Sequence, residues 1–311
     1  SDYPIRSGGG NHMIIPKEIK IVEVGPRDGL QNEPSFLETD KKIALIHSLV
    51  ECGFKEIEAT SFVHPKWIPN LADAEEVIRA VRDLPADFYA LVPNERGYDR
   101  AVQSGVDGVT FVLSPTDSHS LKNLNMTTQQ SVEKLAVLVE RAKQDGMKYR
   151  ASVSPVFGCP FEGNPGLEKI VALVGNLQQI GFERIGLCDT IGIANPLQVF
   201  QWMKQLMAQF ESIEFELHFH NTYGRGLANV LAGIQAGITS FDSSIGGLGG
   251  CPYAPGASGN ISTEDVVAML TEMKIETGID GNKLLDTSRQ LQSYLHKDLD
   301  SQIWKVNRSR Q

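Results

Sequence analysis

Short apolar runs and longer helix-period stretches alternate along this chain from Ile19 onward, and that alternation limits the folds open to it. The runs fall at Ile19–Val24, Glu56–Ser61, Phe88–Val92, Val109–Leu113, Tyr149–Val153, Arg184–Cys188, Glu214–Asn221 and Ser240–Ser244. Helical stretches are predicted after each, among them Thr39–Glu51, Ala72–Arg82, Thr128–Gln144, Leu167–Ile180 and Gly226–Ala236. Gly53, Gly105, Gly146, Gly181 and Gly237 stand where such stretches stop, as expected of the residue that enters the left-handed C-cap most cheaply. Ser114-Pro115-Thr116-Asp117 reads as a turn, and a last helix over Asn282–Leu295 closes the chain. Eight strand–helix units in succession, with no low-complexity linker, predict an α/β fold: a (β/α)8 TIM barrel with an additional C-terminal helix. An open doubly wound sheet would not usually need eight consecutive units. On this reading residues 13–311 form one catalytic domain, and the unpatterned, glycine-rich Ser1–His12 is an expression-tag remnant ahead of Met13.

Composition fits a single large domain. The 311 residues are 41% hydrophobic, enough for a substantial core. A net charge of -9 with no basic block argues against nucleic acid or an anionic membrane as partner. No apolar run is long enough to span a bilayer. Cys52, Cys159, Cys188 and Cys251 form no C-x-x-C pair and follow no signal-type segment, so a reducing, cytoplasmic setting is expected.

Function in such a barrel gathers at the carboxyl ends of the strands. In Glu214–Asn221, Leu217 and Phe219 point one way while His218 and His220 point the other. A lone histidine there would be an ordinary core residue, but His-x-His running into Asn-Thr-Tyr-Gly can grip a metal. Arg27 and Asp28 follow the first strand, Glu58 lies near the end of the second and Asp189 ends the sixth. Cys251 and Asn260 sit in the glycine-rich loop after the eighth. One Asp at a strand end is usually a turn residue; this many polar residues at one rim argue for a site. Neighbours on a strand face opposite ways, so Arg27 and Asp28 can both reach the rim only if the backbone turns. Gly25-Pro26 before them and Gly29 after predict that break. Glu23, on the same strand face as Arg27, is expected to pair with it.

The run Val24-Gly-Pro-Arg-Asp-Gly-Leu-Gln-Asn-Glu33 resembles the signature of the HMG-CoA lyase family. So do Glu58-Ala-Thr-Ser-Phe-Val63, Gly158-Cys-Pro-Phe-Glu-Gly163, Asp189-Thr-Ile-Gly192 and His218-Phe-His-Asn-Thr-Tyr-Gly224. The most specific match is the loop from Gly246 through Cys251 to Asn260. An Arg-Asp-Gly turn with His-x-His is shared more widely, with synthases and aldolases of a metal-dependent barrel superfamily, and the Cys251 loop narrows the reading to the lyases. The resemblance implies cleavage of (S)-3-hydroxy-3-methylglutaryl-CoA to acetyl-CoA and acetoacetate; a related acyl-CoA lyase, Claisen-type synthase or aldolase is the alternative.

It also implies a divalent cation, Mg2+ or Mn2+, on Asp28, His218, His220 and Asn260. The active-site residues it implies are Arg27, Asp28, Cys251, His218, Glu58 and Asp189. Arg27 is too basic to accept a proton and suits the thioester oxygen, where enolate charge develops. Cys251 is the expected proton carrier, with His218 sharing acid–base work, and Glu58 and Asp189 are supporting carboxylates. An acyl-CoA substrate, a homodimer and a bacterial cytoplasmic location are further expectations. Two positions depart from the family pattern of the animal enzymes. His296-Lys297-Asp298 replaces an Asn-Arg-Lys linked to CoA, and Ser152 replaces a Tyr, which implies a different acyl preference.

Overall fold

A computed structural model describes residues 13–250 and 258–309. The N-terminal stretch read as a tag remnant lies outside them, and so does Cys251 with the rest of 251–257. Strands β1 (Lys20–Glu23), β2 (Glu56–Ser61), β3 (Asp87–Val92) and β4 (Gly108–Leu113) alternate with helices α1 (Thr39–Cys52), α2 (Ala74–Val81) and α3 (Glu95–Ser104). After β4 come two helices, α4 (Asp117–Leu124) and α5 (Thr128–Gln144). Then follow β5 (Lys148–Val153), α6 (Leu167–Ile180), β6 (Arg184–Asp189), α7 (Pro196–Gln209), β7 (Glu214–Phe219), α8 (Gly226–Ala236) and β8 (Ser240–Ser243). Helices α9 (Thr263–Glu272), α10 (Gly281–Leu295) and α11 (Gln302–Arg308) complete the described chain.

The strands are parallel and close in sequence order, with Lys20–Glu23 in register against Ser240–Ser243 at the seam. This is the expected (β/α)8 barrel with C-terminal helical additions. Three details differ from expectation. Helix α4 occupies part of the stretch read as a turn, because Thr116 is extended and releases the chain into a short helix. Helix α11 is a second terminal helix, seven residues long and capped by the Ser301 side chain on Trp304 N. Strand β7 leaves its ladder at Phe219, and His220 instead bridges to Asn260.

Alternating residues divide the strands between two environments. Phe88, Ala90 and Val92, Val109, Phe111 and Leu113, and Phe215, Leu217 and Phe219 join the helices in one apolar core. Each such large side chain contributes about 1.5–3 kcal/mol on burial. The lumen positions differ from the branched aliphatic layers common in such barrels. Glu56, Glu58, Arg150, Glu216, His218 and Asp242 are buried there. Arg184 bonds both Glu216 and Glu56, and Lys20 approaches Glu216 at 3.3 Å. Buried charge is tolerated only when paired, so ion pairs fill the cylinder. No described helix is long and apolar enough to cross a membrane.

Candidate active site

The site begins where β1 stops. Val24 leaves the strand conformation (φ -111°, ψ 4°), and its carbonyl accepts from the amides of Arg27, Asp28 and Gly29 at 3.1, 2.8 and 3.2 Å. This wide turn brings the side chains of both Arg27 and Asp28 to the mouth of the barrel. Gly25 is required at its start, because a Cβ there would lie 2.6 Å from the Glu23 carboxylate. Glu23 does not pair with Arg27. Its oxygens accept from Gly25 N and Ile245 N at 2.8 Å each and from Thr263 Oγ1 at 2.7 Å. The carboxyl group thus joins the β1 turn to the loop after β8, and burial pushes it up to about 8.

Asp28, His218 and His220 converge, with one ligating atom of each within 4.8 Å of the others. Asp28 Oδ2 lies 3.7 Å from His218 Nε2 and 3.6 Å from His220 Nε2. Asn260 joins them: its Nδ2 donates to Asp28 Oδ2 at 2.5 Å and to the Leu248 carbonyl at 3.0 Å. The amide nitrogen therefore faces the carboxylate, and a half-turn of the amide would present its oxygen instead. Gly249 lets the loop pass this close, since a Cβ there would meet Asn260 Nδ2 at 2.5 Å.

Two observations bear on whether these residues fit a cation. Among the described residues, neither ring nitrogen of the buried His220 has a hydrogen-bond partner. A polar group so placed costs about 1–3 kcal/mol unless something else satisfies it. His218, by contrast, bonds Asp242 Oδ2 through Nδ1 at 3.0 Å, which leaves Nε2 turned toward Asp28. A carboxylate behind an imidazole in this way orients a metal-ligating histidine.

The protonation states of Asp28 and His220 agree with ligation, whereas His218 must shed a proton before its Nε2 can ligate. Burial works against the Asp28 carboxylate, but the charge of Arg27 and the contacts of His220 and His218 outweigh it and hold Asp28 well below its ordinary value. Burial holds His220 below its ordinary value and so favours the neutral ring. His218 is raised: burial opposes the charged ring, but the Asp242 bond and the charges of Asp242 and Asp28 prevail.

Arg27 lies beside the cluster. Its Nε bonds Glu58 Oε1 at 2.5 Å and its Nη1 bonds Asp28 Oδ1 at 2.7 Å. Glu58 also accepts from Thr110 Oγ1 and Arg150 Nη2, both at 2.7 Å. Burial alone would raise Glu58, yet Arg27 and Arg150 pull it down to about 2. The Asp189 side chain bonds none of these groups, although its carbonyl accepts from His220 N at 3.2 Å. Its carboxylate accepts from Ile193 N and Ala194 N at 3.0 Å each, fastening the loop after β6, and burial pushes it up to about 6. The structure thus brings Arg27, Asp28, Glu58, His218, His220 and Asn260 together. Sequence reading missed Asp242 and Arg150. Their signal was period-two polarity, in Ser240-x-Asp242-x-Ser244 and in Arg150-x-Ser152.

A closed parallel barrel whose first, seventh and eighth strands aim carboxylate, imidazole and amide groups at one point is a metal-dependent (β/α)8 enzyme. The HMGL-like family model matches residues 18–291, and the chain belongs to that family. It is 44% identical to a hydroxymethylglutaryl-CoA lyase of Bacillus subtilis, over 96% of this chain and 100% of that protein. It is 38% identical to a 3-hydroxy-3-isohexenylglutaryl-CoA/hydroxymethylglutaryl-CoA lyase of Pseudomonas aeruginosa, over 94% and 98% of the two chains. A solved HMG-CoA lyase from Acinetobacter baumannii, in complex with coenzyme A and 3-methylmalate, superposes with a TM-score of 0.88 at 44% identity. That match covers 93% of this chain and 95% of the other.

Proposed function

We propose that this chain is a divalent-metal-dependent carbon–carbon lyase that cleaves (S)-3-hydroxy-3-methylglutaryl-CoA to acetyl-CoA and acetoacetate. The observation that carries the reading is the buried His220, unpartnered among the described residues, facing Asp28 beside Arg27. Asp28, His218, His220 and Asn260 would hold the cation, and the mixed oxygen and nitrogen donors with no thiolate favour Mg2+ or Mn2+ over a structural zinc. Bound there, it would supply positive charge to the substrate's hydroxyl and carboxylate oxygens and ease loss of the hydroxyl proton.

The chain's own groups divide the remaining work. The hydroxyl proton passes to a base, a role the resemblance shares between Cys251 and His218, as the bond between C2 and C3 breaks; the C–O bond becomes the ketone of acetoacetate, and the electron pair moves onto the thioester. Arg27 places a fixed cation where that enolate oxygen develops charge, held in aim by Glu58. Asp28, kept ionised by Arg27, suits ligation better than proton uptake. Cys251 returns a proton to the enolate carbon; it lies outside the described residues, and its role follows from its loop's resemblance to the lyases. Asp189 acts through the loop that it fastens.

Ser152 supports a wider acyl range. It is half-buried, it stands two residues above Arg150 on the lumen face, and its Oγ lies 3.2 Å from Cys188 Sγ. A small side chain there leaves room for a longer C3 substituent, of the kind named for the Pseudomonas aeruginosa relative. The reducing cytoplasm is the proposed location; the described cysteines, all buried and free, are compatible with it.

The test is direct. Purified protein with HMG-CoA and Mg2+ or Mn2+ should release acetoacetate, and chelation should stop it. Metal-independent release, or none with any divalent cation, would sink the reading.

A further inference from the structure

We propose that Arg150 is a positioning residue that fixes the Arg27 side and the His218 side of the site in one alignment. This inference rests on the lyase reading above. Arg27 and His218 come from the β1 turn and from β7, and their backbones are not ladder neighbours. Hydrogen bonds between strands therefore do not set how the two side chains stand relative to each other.

One guanidinium does. Arg150, 2% exposed, gives Nη2 to Glu58 Oε2 at 2.7 Å and Nη1 to Asp242 Oδ1 at 3.0 Å. The far oxygens of those two carboxylates face the site: Glu58 Oε1 holds Arg27 Nε at 2.5 Å, and Asp242 Oδ2 holds His218 Nδ1 at 3.0 Å. Thr110 Oγ1 accepts from Arg150 Nε at 3.0 Å and donates to Glu58 Oε2, so the plane of the fork is also fixed. Nη1 further bonds Glu216 Oε2 at 3.1 Å.

A guanidinium is rigid and planar, so a shift of one carboxylate is carried to the other. A lysine cannot reach both with fixed directions. Arg184, the other lumen arginine, supplies the control. It bonds Glu56 and Glu216 and contacts neither Glu58 nor Asp242. A purely structural need for buried cations would make the two arginines equivalent.

The experiment compares Arg150→Lys with Arg184→Lys, each measured for melting temperature, for kcat and KM on HMG-CoA, and for Mn2+ affinity by the paramagnetic resonance of free Mn2+. Misalignment of about 1 Å costs roughly 100-fold in rate, and loss of support behind a ligating histidine weakens metal binding about 10-fold or more. The expected result is that Arg150→Lys loses about 100-fold in kcat with little change in KM and binds Mn2+ about 10-fold more weakly. Arg184→Lys should keep both within about twofold of wild type, whatever its melting temperature. Equal kcat and Mn2+ affinity in the two variants would overturn the proposal. Should Arg150→Lys not fold, the near-isosteric Thr110→Val decides: a fall in kcat at unchanged KM supports the proposal, and wild-type kcat with wild-type Mn2+ affinity rejects it. Failure of the lyase reading would appear separately, as wild-type protein that releases no acetoacetate while Mn2+ affinity still ranks the variants.

Discussion

Near the base of the barrel lumen, Glu216 receives Arg184 Nη2 at 2.5 Å, Arg150 Nη1 at 3.1 Å and Ser240 Oγ at 2.8 Å. At the mouth, His220 is equally buried and its ring nitrogens meet no partner among the described residues. The two regions use the same class of polar side chain inside the same cylinder. They differ in how the carboxylates are closed, although Arg184 Nε below also meets no partner among the described residues. Below, each carboxylate meets a cation of the protein. Above, Asp28 is shared among Arg27, Asn260 and two imidazoles set 3.6 and 3.7 Å away, too far for hydrogen bonds. A satisfied network is worth stability; an unsatisfied one needs a ligand to complete it.

The sharpest way to break that contrast is at the mouth. Asp28→Ala or His220→Ala should lower kcat by about 1,000-fold or more, the scale of several kcal/mol of lost charge stabilisation. Mn2+ binding should fall with it. Retained Mn2+ affinity would show that the cluster is not the metal site. Next is Arg27→Lys, which keeps the charge and loses the fork that Glu58 and Asp28 orient. Steady-state kinetics should show kcat down about 100-fold, with Mn2+ affinity near wild type. Near-normal turnover would remove Arg27 from the thioester oxygen.

Lower in the lumen the expected change is in stability alone. Glu56→Leu leaves Arg184 and Lys20 short of a partner. Breaking a buried pair this way costs about 3 kcal/mol, so denaturant unfolding should shift while kcat of the folded enzyme stays put. A large fall in kcat would mean the two regions are not separable. The last effect, of similar size, concerns acid. Glu58 sits at about 2 when folded against 4.5 as its ordinary value, so its stabilisation is complete above about pH 4.5 and is lost as pH falls toward 2. That amounts to about 3 kcal/mol. Melting temperature should drop over this window, and Glu58→Gln, already without the charge, should show a shallower drop there.

Much of this was legible in the chain. Strand β2 and helices α5, α6 and α8 match the expected spans, because period-two and period-3.6 patterns are read locally and glycines mark the helix stops. The turn at Gly25–Gly29 was legible for the same reason: adjacent Arg and Asp cannot share a strand face. Helices α4 and α11 were not: they make only about two turns each, and α4 carries just Leu121 and Leu124 to mark an apolar face behind a Ser-Pro turn signal. Pairing inside the lumen was also hidden. Glu23 looked like a partner for Arg27 by strand face, but its oxygens go to Ile245 N and Thr263 Oγ1, more than two hundred residues away. Such choices depend on which strands become neighbours once the sheet closes.

The bond between Asn260 and Asp28 spans 232 residues of chain, and the groups meeting at the mouth come from opposite ends of the sequence. No partial cylinder can assemble them: a nascent chain that has made only its first strands offers a lone carboxylate. A bound cation would therefore act as a clasp on the β1–β8 seam, stabilising only the finished ring by mass action. Cation uptake during refolding would then be a timer for the last step of closure, arriving after secondary structure and together with the final docking of β8.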